Sequence, residues 1–140
     1  MTLEPLLSAP WVIQVHVAGA MLGLLLGVLQ FLAPKGTLPH KTIGVFWIVI
    51  LSTVAVTSIF VRPSIKPGLP FFQWFSFIHI FTVITFYGLA QGMLFLVRGG
   101  KNLKMHSRPF LGIFIGGLIV AGILAFALPG RIMHKVVFGG

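Results

Sequence analysis

The stretch Trp11–Leu32 reads WVIQVHVAGAMLGLLLGVLQFL, 22 residues without a charge. At about 1.5 Å of rise per residue it covers the ~30 Å hydrocarbon core of a bilayer as one helix. At about 100° per residue, Gly23, Gly27 and Gln30 fall within roughly 40° of His16. A single narrow stripe therefore carries an imidazole, two glycines and an amide. A lipid-facing anchor has no use for such a face. It suits close approach to a flat bulky group or to another helix, with His16 as ligand or hydrogen-bonding group.

Composition agrees with a membrane class. The chain has 140 residues, 57% of them apolar and 8% charged, which reads as one domain spanning 1–140. There is no cysteine, so disulfides and thiolate chemistry are excluded. Glu4 is the only acid, so carboxylate pairs and intramembrane acid relays are excluded too. The net charge of +9 comes from basic residues set between apolar spans, which reads as a topology signal rather than a nucleic-acid surface. The opening MTLEPLLSAP lacks the positive n-region of a signal peptide, so the first span is expected to be kept.

Working outward, uncharged spans are predicted at about 11–33, 41–61, 71–97 and 109–128. Pro and Gly punctuate the gaps: Pro34, Gly36 and Pro39 in the first, Pro63, Pro67 and Pro70 in the second, Gly99 and Gly100 in the third. Such short connections predict an all-α, up-and-down four-transmembrane-helix bundle. The first and third gaps hold Lys35, Lys41, Arg98, Lys101, Lys104 and Arg108, while the other side holds Arg62, Lys66, Arg131 and Lys135. Six cations against four predict both termini outside, in the multi-pass pattern of a prokaryotic cytoplasmic membrane protein.

Histidines recur at 16, 40, 79 and 106, each near the start of a successive helix. Alternating helix direction turns this into two levels, His16 with His79 and His40 with His106, roughly 20 Å apart along the normal. Paired imidazoles on a ring's two faces suit b-type haem, and two haems are expected. Gly23, Gly27, Gly44 and Gly117 would clear room for the macrocycles. Arg62 and Arg131 would meet propionates at the outer level; Lys41 and Arg108, with Lys35 and Lys104, would meet them at the inner one. A weak internal repeat accompanies the pairs: His40 to Arg62 is 22 residues and His106 to Arg131 is 25, and each second helix opens Gly44-Val45-Phe46 or Gly112-Ile113-Phe114. Two pseudo-repeated hairpins would put equivalent histidines opposite each other.

His16, Gly19 and Gly27, the run His40-Lys41-Thr42-Ile43-Gly44, the basic loop reaching His106, and Pro129-Gly130-Arg131 together resemble one group. It is a family of small four-helix predicted membrane proteins of bacteria and archaea, catalogued as a domain of unknown function. The histidine layout is also similar to transmembrane di-haem b-type cytochromes of the ascorbate and ferric reductase type. That resemblance implies electron transfer across the membrane between two bis-histidine haems, with a quinone or small reductant as possible partner.

Plainer readings stand beside this one. Each histidine can bond a neighbouring helix, His40 and His106 can sit beside lipid phosphates, and the Gly19–Gly23–Gly27 series can be small-residue helix packing. A non-redox accessory subunit of a larger membrane complex, a homodimer and a small transporter are the alternatives. Gln14, Gln30, Gln73 and Gln91 offer amides to a quinone, with no spacing that singles one out. His134 reads as a surface residue of the tail.

Overall fold

The computed structural model of the protein describes residues 1–61, 79–99 and 104–139, and no strand occurs among them. The helices are α1 (Glu4–Leu7), α2 (Trp11–Leu32), α3 (Leu38–Ser58), α4 (His79–Arg98), α5 (Ser107–Ala127) and α6 (Ile132–Phe138). Four of them, α2 to α5, are long and apolar enough to cross a membrane, which makes this a multi-pass membrane protein by helix length and composition. Each packs on its sequence neighbour, and α5 returns against α2 to close the bundle. The termini meet at one end, where the Thr2 amide donates to the Val136 carbonyl at 3.1 Å. The α2–α3 connection, the end of α4 and the start of α5 lie at the other, called here the loop end.

Helix starts explain where the observed spans depart from those predicted. The second span begins at Leu38 rather than 41, because Thr37 caps it: its Oγ1 accepts the His40 amide at 3.4 Å and donates to the Pro34 carbonyl at 2.7 Å. Pro39 then sits in the first turn, where its missing N–H is no loss. His40 is thereby inside the helix, not in the turn before it. Pro109 falls likewise in the first turn of α5, with His106 as the residue preceding the helix. Gly36 (φ 84°) makes the tight turn between α2 and α3, and Gly130 (φ 82°) the turn into α6. The part of the third span at 71–78, and Arg62, lie outside the described residues.

Inside lipid every polar group needs an internal partner. The hydroxyls of Ser52, Thr53 and Thr85 donate to carbonyls one turn back, of Ile48, Val49 and Phe81. Ser58 and Thr82 also meet each other at 2.9 Å, joining α3 to α4.

The two ends of the bundle are built differently. Toward the loop end the interior is solid: Trp47, Leu51, Leu89, Phe110 and Ile113 form a buried cluster that Ala55 and Leu118 continue to the cavity described below. Trp47 stands edge-on to Phe31 and Phe110, with centroids 5.9 Å apart in both cases. Its Nε1–H donates to the Gly23 carbonyl at 2.7 Å. In α5 the stretch Ile113–Val120 is wound as a π-helix, and within it Gly117 lets the Thr85 hydroxyl approach to where a Cβ would lie 2.6 Å away. At Gly92 a Cβ would strike the Phe110 ring, whereas at Gly112 it would meet nothing within 4 Å. Gly92→Ala should therefore lower stability in micelles by about 1–3 kcal/mol. Gly112→Ala should be neutral or stabilising, by up to about 1 kcal/mol. The midpoints of detergent-induced unfolding of the two variants check this contrast.

Candidate functional site

Toward the termini the interior opens into a cavity of about 1180 Å³, bounded by α2, α3, α4, α5 and α6. Its walls are mainly apolar, with the polar side chains of His16, Ser58, Thr82 and Thr85 inside, and Arg131 and Lys135 on α6's side. Small-molecule pockets typically occupy about 300–1,000 Å³. This one is large enough for a macrocycle.

His16 is half-buried on α2. Its Nδ1 lies 3.1 Å from the Val54 carbonyl and 3.2 Å from Thr57 Oγ1. A carbonyl can only accept, so that bond puts the proton on Nδ1 and leaves the lone pair on Nε2. A metal-ligating imidazole has this arrangement, with one nitrogen anchored to backbone and the other presented to the ion. Thr57 is itself anchored, donating to the Thr53 carbonyl at 2.7 Å. His79 is half-buried in the first described turn of α4, three residues before Thr82 and so on the same helix face as that cavity residue. Arg131 precedes α6 and lines the cavity. Its expected companion, Arg62, is outside the described residues.

The loop-end histidines are brought together directly. His40 and His106 have ring centroids 6.4 Å apart and planes at 65°. The Gln30 amide nitrogen lies 3.2 Å from Nδ1 and 3.4 Å from Nε2 of His40. The glycines on these faces are filled by the chain itself. A Cβ at Gly44 would lie 2.9 Å from the Gln30 amide nitrogen. At Gly27 it would lie 2.5 Å from Phe114 and 3.0 Å from Trp47 Nε1, and at Gly23 3.4 Å from Leu51. Lys41 and Arg108 are exposed, beside His40 and His106 in sequence. Among the described residues no three His, Cys, Asp or Glu side chains converge on a metal position.

Two features were not legible in the sequence. His134 is not a loose tail residue: its Nδ1–H donates to the Phe126 carbonyl at 2.8 Å and its ring lies 4.8 Å from Phe138, clasping α6 to the end of α5. Gln14 donates to the Leu7 and Ala9 carbonyls and so fixes α1 against α2. Both bonds depend on turns of the chain that no spacing rule specifies.

No family model, no curated protein and no solved structure matches this chain.

Proposed function

We propose that this is a membrane electron-transfer protein that holds one b-type haem in the termini-end cavity, where His16 and His79 would hold its iron. The carrying observation is His16, anchored through Nδ1 and offering Nε2 beside a roomy, mainly apolar cavity with cations at one side. What the cavity offers such a group is the His16 imidazole for iron, an apolar wall for the macrocycle, and Arg131 and Lys135 for carboxylates, with His79 on the helix face of Thr82 as the second ligand of the proposal. When bound, the haem supplies a one-electron couple whose potential follows from ligand identity and burial. The chain's own part is to hold the imidazole in one orientation through Val54 and Thr57, to exclude water, and to offset negative charge at the mouth.

The cation bias supports placing the loop end in the cytoplasm, both termini outside, and the haem toward the outer face. A single haem is proposed rather than the two expected from the histidine spacing, because at the loop end Trp47, Phe110, Phe114 and Gln30 occupy the space the glycines leave. The same filling removes the motive for an accessory subunit docking through those glycines. The dithionite-reduced minus oxidised spectrum of the purified protein tests the proposal. A Soret shift with a sharp low-spin α-band is expected; a colourless protein, prepared from haem-replete cells, would overturn it.

A further inference from the structure

We infer that the groove between α4 and α5, on the lipid-facing side of the loop end, binds one anionic glycerophospholipid through Arg108 and Gln91. The groove measures about 320 Å³, and Ile84, Tyr87, Arg108 and Gly112 along it are exposed. It shares no lining residue with the termini-end cavity, so occupancy of one is independent of the other.

Gln91 is the polar group that calls for a ligand. Of the described glutamines, Gln14 donates to the Leu7 and Ala9 carbonyls, and the Gln30 amide lies against His40. Gln91 also lines the groove, yet among the described residues it has no hydrogen-bond partner. A primary amide left unpaired within a membrane-spanning helix has to find its partner outside the chain. Its two N–H donors suit a ligand with carbonyl acceptors.

Charge fixes the kind of ligand. Arg108 is exposed at the start of α5, and the chain's one acidic side chain, Glu4, lies at the opposite end of the bundle. A second copy packed side by side therefore brings no carboxylate side chain to Arg108. A lipid phosphate does reach this level, and a guanidinium grips phosphate bidentately.

Depth selects the lipid class. Gly92 faces Phe110 and Gly88 faces Ile113. Gln91 therefore stands roughly 5 Å deeper than Arg108, and Tyr87 roughly 10 Å deeper. The headgroup layer of one leaflet is about 5–7 Å thick. A glycerophospholipid seated with its phosphate on Arg108 thus brings its ester carbonyls to the Gln91 amide, and its acyl chains run on past Tyr87 and Ile84. Gly112 leaves the room: a Cβ there meets no heavy atom within 4 Å.

Native mass spectrometry tests the site on the full-length protein, released from micelles loaded with dioleoyl phosphatidylglycerol or dioleoyl phosphatidylcholine. One phosphatidylglycerol per chain is expected, bound about 10-fold more tightly than phosphatidylcholine. Arg108→Gln should abolish that preference, whereas Lys35→Gln, an equal charge change in the exposed α2–α3 turn, should keep it. Gln91→Leu should weaken both lipids alike, by about 5-fold. Gly112→Phe should remove bound lipid of either kind, and size-exclusion profile with helical circular dichroism reports whether each variant is folded. Equal retention of the two lipids by wild type, undiminished retention by folded Gly112→Phe, or the same loss in Lys35→Gln as in Arg108→Gln would overturn the site. So would a lipid-free dimer that dissociates in Gln91→Leu.

Discussion

Trp47→Ala should cost on the order of 3 kcal/mol of stability in micelles, the largest packing effect expected of any single side chain among the described residues. The cost comes from the contacts the indole makes, since lipid is as apolar as the interior and burial alone gains little. Trp47 is 1% exposed and contacts Phe31 and Phe110 edge-on, so it joins α2, α3 and α5 at once. Truncation leaves a void that three helices cannot close together, and the surrounding rings lose their dispersion contacts. It also strands no donor, because the donor leaves with the ring. Trp47→Phe separates the two contributions. It keeps most of the packing and loses the bond to the Gly23 carbonyl, worth about 0.6 kcal/mol on average within membranes. Detergent-induced unfolding midpoints should therefore order wild type, Trp47→Phe and Trp47→Ala, with the larger gap between the last two. Equal losses in both variants would mean that the hydrogen bond, not the packing, holds the loop end together.

Gly122→Phe should abolish haem binding while leaving the bundle folded. Gly122 lines the termini-end cavity, and a Cβ placed on it meets no heavy atom within 4 Å. The substituted ring thus enters open volume rather than a packed wall, unlike a ring at Gly27 or Gly92. A benzyl group in a cavity shared by five helices removes the continuous space a planar macrocycle needs. Ile115→Phe is the matched control: Ile115 is 48% exposed on the same helix and does not line the cavity. The haem-to-protein ratio should fall to near zero in the first variant and stay at the wild-type value in the second. A full complement of haem in folded Gly122→Phe would exclude the cavity as the site.

Much of the architecture could be read from residues, because lipid imposes simple constraints. Charge-free runs of about 20 residues separated by Pro, Gly and Lys leave few alternatives to a four-helix bundle. The stripe of His16, Gly23, Gly27 and Gln30 was legible too, for a 3.6-residue period fixes which side chains share a face. Gly23 and Gly27 are indeed buried. What fills that face could not be read. Small residues are equally suited to a cofactor and to a neighbour's aromatic ring, and at Gly27 the neighbours are Phe114 and Trp47. The depth pairing of His40 with His106 followed from helix direction alone. The anchoring of His16 on the Val54 carbonyl did not, since backbone acceptors carry no sequence signature. The π-wound segment Ile113–Val120, within which Gly117 faces the Thr85 hydroxyl, likewise has no signature in the sequence.

Haem stoichiometry by pyridine haemochrome decides whether His16 presents an iron ligand into the termini-end cavity. Wild type and His16→Ala are expressed with haem supplied in excess and purified alongside His134→Ala, whose imidazole bonds the Phe126 carbonyl outside the proposed ligand pair. One haem per chain is expected in wild type and in His134→Ala, and essentially none in low-spin form in His16→Ala. A folded His16→Ala protein with the same haem content and the same low-spin spectrum would contradict it.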